Sequence, residues 1–141
     1  MQRRSALVTL GSGATYLTAG CLSRVRPSPE PVNLELWNNT ENSHEVHVLI
    51  RDDNEESIFE DLYEIRDVSY GPPGGNVIRE ESITEATNDT LFDVIATLNQ
   101  RVTREHRYRV QCSDEEIENL IRVEILSNRE TYLEIDQSVC A

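Results

Sequence analysis

Apolar and polar residues alternate with a period of two along most of the chain after residue 31, the spacing that puts every second side chain on one face of a β-strand. Val32, Leu34 and Leu36 alternate with Asn33, Glu35 and Trp37, and the polar residues 38–43 then supply turn chemistry. Val46, Val48 and Ile50 share one parity while Glu45, His47 and Arg51 share the other. This predicts a second half-buried strand, paired as a hairpin with the first. Phe92, Val94, Ala96 and Leu98, followed by Tyr108 and Val110 between Arg107, Arg109 and Gln111, predict the best-patterned hairpin, and Cys112 ends it on the inner parity. Ile121, Val123 and Ile125, a turn, and then Leu133 and Ile135 predict one more hairpin, which brings the chain back to Cys140.

Residues 57–68 carry two patterns. Ile58, Phe59, Leu62 and Tyr63 fit a short helix with Ser57 and Glu60 at capping-box spacing, whereas Phe59, Tyr63 and Ile65 fit a strand. The strand is the expectation, because the flanking segments are strands and this one runs into the Gly71-Pro72-Pro73-Gly74-Gly75 turn. Residues 77–83 read as a weaker strand, polar enough for a sheet edge, and residues 85–89 as a loop. Seven or eight short strands with turn signals at roughly ten-residue spacing predict an all-β, two-sheet antiparallel Ig-like sandwich over residues 32–141.

The first 31 residues follow a different rule. Arg3 and Arg4 precede an apolar run over residues 6–19, which has the length of an export-signal core and is too short to cross a hydrocarbon layer of roughly 30 Å as a helix. Arg3-Arg4-Ser5-Ala6-Leu7 resembles a twin-arginine signal, and Leu17-Thr18-Ala19-Gly20-Cys21 resembles a lipobox, in which Cys21 takes the lipid. Residues 1–20 are thus expected to be a signal peptide. Residues 21–31, with alternating prolines, are expected to be a lipidated cysteine and a semi-rigid tether. Cleavage after Ala19 or Gly20 without lipid is the other outcome consistent with these residues.

Composition adds a solvent to this address. The 141 residues contain 26 Asp and Glu, 13 arginines and no lysine, for a net charge of −13. Removing residues 1–20 takes away two arginines and no carboxylate, so the remaining chain is more acidic still. Such a field repels nucleic acid and anionic headgroups. An acidic, lysine-free chain is similar to the proteins of extreme halophiles, where molar salt shortens the Debye length to roughly 3 Å and relieves self-repulsion. With Cys21 accounted for, Cys112 and Cys140 form an even pair in a compartment that permits disulfides, and they are expected to be bonded.

From the strand ahead of Cys112, through the acidic loop and Ile121-Arg122-Val123-Glu124-Ile125, to the closing Cys140, the chain resembles the small Ig-like β-sandwich lipoproteins of haloarchaea. The resemblance implies a fold and a location and supplies no activity.

Candidate chemistry is sparse. His44 and His47 lie three apart in a strand and face opposite sides, so they cannot chelate one metal, and His106 shares the inner parity of Tyr108. A copper site of the cupredoxin type would need a methionine beside cysteine and histidine, and the only methionine is Met1. Asp52-Asp53-Asn54-Glu55-Glu56 offers oxygen ligands to a hard cation without EF-hand spacing, and reads first as a solvated loop. The Gly-Pro turn has no following lysine to cradle a phosphate, and no nucleophile-elbow pattern is present. Asn38-Asn39-Thr40 and Asn88-Asp89-Thr90 are N-glycosylation sequons in predicted turns. Trp37, Leu91 and Ile95 lie on the parity opposite to the core, where they form a contact patch or are covered by a loop or the tether.

The expectation is a non-catalytic, cofactor-free, extracytoplasmic interaction or envelope module. Its partners would be the membrane, through a lipid anchor, and an unidentified cell-surface protein, with no nucleic acid. The alternative is a surface accessory protein that binds a ligand or metal.

Overall fold

The computed structural model describes residues 28–70, 75–111 and 117–139. Eight strands follow in chain order: β1 (Glu30–Asn38), β2 (His44–Arg51), β3 (Ser57–Ile65), β4 (Val77–Ala86), β5 (Leu91–Leu98), β6 (Val102–Arg109), β7 (Asn119–Asn128) and β8 (Glu130–Gln137), with one 3-10 turn at Val68–Tyr70. They form two four-stranded sheets, β4-β1-β7-β8 and β3-β2-β5-β6, packed as a sandwich. The signal and lipobox residues Arg3, Arg4 and Cys21, most of the tether, and Cys112 and Cys140 lie outside the described residues.

The period of two sets the core. Val32, Leu34 and Leu36 of β1 with Ile121, Val123 and Ile125 of β7 line the inner face of one sheet, and Val46, Val48 and Ile50 of β2 with Val94 and Ala96 of β5 line that of the other, all essentially solvent-free. Tyr108 of β6 is the largest fully buried side chain, and its ring lies parallel to that of Phe92, with centroids 6.4 Å apart. Burial pushes the Tyr108 hydroxyl up to about 12, so it stays protonated.

The strand reading of residues 57–68 holds, since β3 runs to Ile65 before the 3-10 turn. The polar strand at residues 77–83 is an edge strand as expected, though it continues to Ala86 through residues read as loop. β1 likewise begins at Glu30, inside the expected tether, where Glu30 pairs with Ala86. The β5–β6 and β7–β8 hairpins are both present. The first turns through Asn99 and Gln100, both at positive φ, with Arg101 N–H donating to Leu98 C=O at 2.9 Å. Positive φ at both central residues gives this turn a twist that matches the flanking strands, and Arg101 is the one extra residue before Val102 pairs with Leu98.

One expected pairing is overturned. β1 and β2 do not form a hairpin: β1 is flanked by β4 and β7, and β2 by β3 and β5. Residues 39–43 instead carry the chain across the end of the sandwich, from one sheet to the other. In an immunoglobulin domain the first two strands share a sheet, so this strand order differs from that pattern. It also makes β1 and β7 a parallel pair, the one parallel pairing among the six between described strands.

Because Leu34 and Ile121 are opposite each other at the centre of the β1–β7 ladder and fully buried, Leu34→Ala or Ile121→Ala should cost about 2–5 kcal/mol. Leu62→Ala, on the solvent side of β3, should stay within about 0.5 kcal/mol. Urea denaturation midpoints of the three variants test the assignment of faces.

Candidate interaction surface at the loop end

The strand directions give the sandwich two distinct ends. The chain enters β1 at one end; at the other are gathered the crossing 39–43, the 3-10 turn, Gly75 and Asn76, the β5–β6 turn and the β7–β8 turn. Asn38, the last residue of β1, organises this second end. Its side chain is fully buried. Its amide nitrogen donates to the carbonyls of Asn42 and Arg66, both at 2.8 Å, and its oxygen accepts from Thr40 N–H at 3.0 Å and Thr40 Oγ1 at 2.8 Å. One amide thereby satisfies all its hydrogen-bonding capacity on two separate loops.

Backbone bonds extend the same knot. Asn38 N–H donates to Asn76 C=O at 2.8 Å, Asn39 N–H to Ile125 C=O at 2.9 Å and Val68 N–H to Thr40 C=O at 2.9 Å. Arg66 N–H donates to Gly75 C=O at 3.1 Å. Gly75 sits at a φ of +109°, and a Cβ there would come within 3.1 Å of the Arg66 side chain, so both backbone and space favour glycine.

His44 links this knot to the β5–β6 turn. One ring nitrogen, Nε2, lies 2.9 Å from Thr40 Oγ1, and Nδ1 lies 2.9 Å from the amide nitrogen of Asn99. Asn99 uses its oxygen to accept Glu45 N–H at 2.9 Å, so its nitrogen must donate to Nδ1 and the imidazole is neutral with its proton on Nε2. Burial pushes the His44 pKa below its ordinary value. Ser43, His44, Glu45 and Glu64 line a shallow depression beside it.

The other histidines are also engaged. His47 faces outward, as its parity predicts, and contacts Glu60 at 2.8 Å. His106 Nε2 lies 3.1 Å from Gln137 Oε1, bridging β6 to β8. The acidic loop after β2 spends its carboxylates locally: Asp52 Oδ1 accepts the backbone N–H groups of Asn54 and Glu56, and Asp53 pairs with Arg107 at 2.6 Å. Among the described residues no three His, Cys, Asp or Glu side chains are grouped to hold a metal ion.

Outside the β4-β1-β7-β8 sheet, Glu35 is the hub of an ion-pair network. It accepts from Arg79 at 2.7 Å, Arg122 at 3.2 Å and Trp37 Nε1 at 3.0 Å, and Arg79 reaches on to Glu118 at 2.5 Å. Burial alone would raise the Glu35 carboxyl, but these donors outweigh it and hold the group below its usual range; Arg79 does the same for Glu118. The Arg122 guanidinium lies 5.3 Å from the Trp37 ring centroid. Trp37, expected to form a contact patch or to be covered by a loop or the tether, instead has a cation from the neighbouring strand over its ring.

The two sequons separate sharply. Asn38 cannot serve as a glycan acceptor in the folded chain, because its amide nitrogen is buried and committed to two carbonyls. Asn88 is exposed, and exposure is what separates it from Asn38, since with its amide turned to put nitrogen inward it too donates to two carbonyls, those of Val110 and Gln111. The sequence showed Asn38 as turn chemistry, but its role across 28 residues to Arg66 leaves no local signal. No protein-family model matches this chain, and no curated protein matches it in sequence.

Asn38→Ala removes four hydrogen bonds from a buried or part-buried knot and should cost about 2–4 kcal/mol. Asn38→Asp should cost more at neutral pH, because a carboxylate would face two carbonyls. Denaturation, with hydrogen exchange at Thr40 and Val68, reports both. Since the folded chain binds a proton at His44 less readily than the unfolded chain, the stability His44 contributes is complete above the ordinary histidine value and declines as pH falls through it. The denaturation midpoint should therefore drop between about pH 7 and pH 5. His44→Gln should flatten that part of the profile.

Proposed function

We propose that this chain is an extracytoplasmic, lipid-anchored, non-catalytic β-sandwich that presents its loop end to a partner in the cell envelope of a halophile. The observation that carries this reading is the division of labour between the two ends. The segment containing Cys21 leads into β1 at one end, and the loops held by Asn38 lie at the other. An anchor at the first end leaves the second facing away from the membrane, and a buried, fully bonded amide keeps those loops ordered before any partner arrives, which reduces the entropy lost on binding.

Further features favour the same reading. All three histidines are taken up in structural hydrogen bonds that join loops or strands. The ion pairs around Glu35 are direct contacts on a carboxylate that is only 13 % exposed, the kind that survives when salt screens longer-range attraction. For the expected Cys112–Cys140 bond, Arg109 N–H donates to Gln137 Oε1 at 3.3 Å, and each of these residues is three positions short of one of the cysteines. Closing that loop would add roughly 2–5 kcal/mol.

Ser43→Cys in the expressed full chain places a thiol in the exposed crossing loop. On intact cells it should react with a membrane-impermeant maleimide, and the protein should stay with the membrane fraction until Cys21→Ser releases it. Labelling only after lysis, or membrane retention unaffected by Cys21→Ser, would refute the reading.

A further inference from the structure

The arginines of this chain are unevenly used. With twice as many carboxylates as arginines, a basic side chain on this surface has acids on every side. Arg79, Arg107 and Arg122 each reach two or more of them. Arg101, Arg104, Arg109 and Arg129 form no ion pair with any described carboxylate, although all four are exposed. All four lie on one side of the molecule, where β6 and β8 are the edges of their respective sheets.

Three features of that side belong together. Between the two edges run two clefts of about 470 and 370 Å³ that share Arg104; Val102 and Tyr132 line the first, His106 and Ile135 the second. No described strand pairs with the outer edge of either β6 or β8, so each presents a row of unpaired backbone groups. The charges are opposite: residues 101–109 carry four arginines and one glutamate, and β8 carries Glu130, Glu134 and Asp136 with no base.

Direction decides how a second copy would fit. β8 runs antiparallel to β7, and β7 parallel to β1; β2 returns against β1, and β5 and β6 alternate from it. β6 and β8 therefore run the same way. A two-fold axis along the strands would set β6 of one copy beside β8 of the other, twice, with basic edge against acidic edge each time. An axis across the strands would set β6 against β6, arginine row against arginine row, which cross-strand electrostatics disfavour.

We propose that two copies pair through this side, β6 of each adding in parallel to β8 of the other, so that both sheets continue from four strands to eight. The geometry is independent of the anchoring reading but agrees with it, because an axis along the strands leaves both β1 entries at the same end, able to meet one membrane. Arg104 and His106, turned inward at the edge, and the basic row itself exclude indiscriminate strand addition.

Sedimentation equilibrium of the full chain should show a concentration-dependent dimer. Arg101→Glu with Arg109→Glu, or Glu130→Arg with Glu134→Arg, should each weaken it at least tenfold, since each pair of changes makes the facing edges alike. Mixing the two variants should restore the dimer, and so should one chain carrying all four changes. Circular dichroism checks that each variant is folded. A monomeric wild type, a dimer indifferent to both pairs of changes, or folded variants that remain monomeric on mixing would overturn the proposal.

Discussion

The structure depends on a single buried amide. Strand alternation supplies two sheets with apolar inner faces, but it does not say how a chain leaves one sheet and enters the other. Asn38 solves that problem at the loop end. Its side chain replaces the backbone partners that the crossing residues lose on leaving the ladder, with two donations to Asn42 and Arg66 and two acceptances from Thr40. A buried polar group is costly unless fully satisfied, and this one is. The same bonds that complete the fold also order the surface the fold displays.

The outer face of the β4-β1-β7-β8 sheet applies a related economy to charge. Across four strands the register sets Arg79, Glu35, Arg122 and Asp136 side by side, so opposite signs alternate along one row. Strongly acidic chains repel themselves, and placing arginines at the centre of a sheet face puts attraction where the strands meet. At the bulge between Val32 and Leu34, Asn33 accepts Ser82 N–H at 2.8 Å and donates to Glu118 at 2.6 Å, joining the interrupted ladder to the ion-pair network. Arg101, Arg104, Arg109 and Arg129, which take no part in this arrangement, collect on the side of the sandwich where β6 and β8 are the sheet edges.

Much of this was legible in the amino-acid sequence. Parity placed Val46, Val48, Ile50, Val94, Ala96, Ile121 and Val123 inside and His47 outside, because a two-residue period is a local property. The pairing of β1 was not legible. Residues 38–43 read as a hairpin turn, and what makes them a crossing instead is a set of contacts with Arg66, Asn76 and Ile125 that are remote in sequence. The sequon at Asn38 failed for the same reason, since the motif describes three residues and says nothing of a fourth partner 28 positions away. The candidate surface was visible only as turn chemistry, and the basic edge only as a run of arginines; that Arg107 reaches two carboxylates while Arg101, Arg104 and Arg109 reach none among the described residues is a three-dimensional fact.

Intact-mass measurement of the protein extracted from its native membrane, with thiols alkylated before and after reduction, decides whether the sandwich is anchored and bridged as proposed. A lipid-anchored chain begins at Cys21 with added lipid mass, and its Cys112 and Cys140 alkylate only after reduction. A chain retaining residues 1–20, with Cys112 and Cys140 open to alkylation from the start, would contradict the proposal.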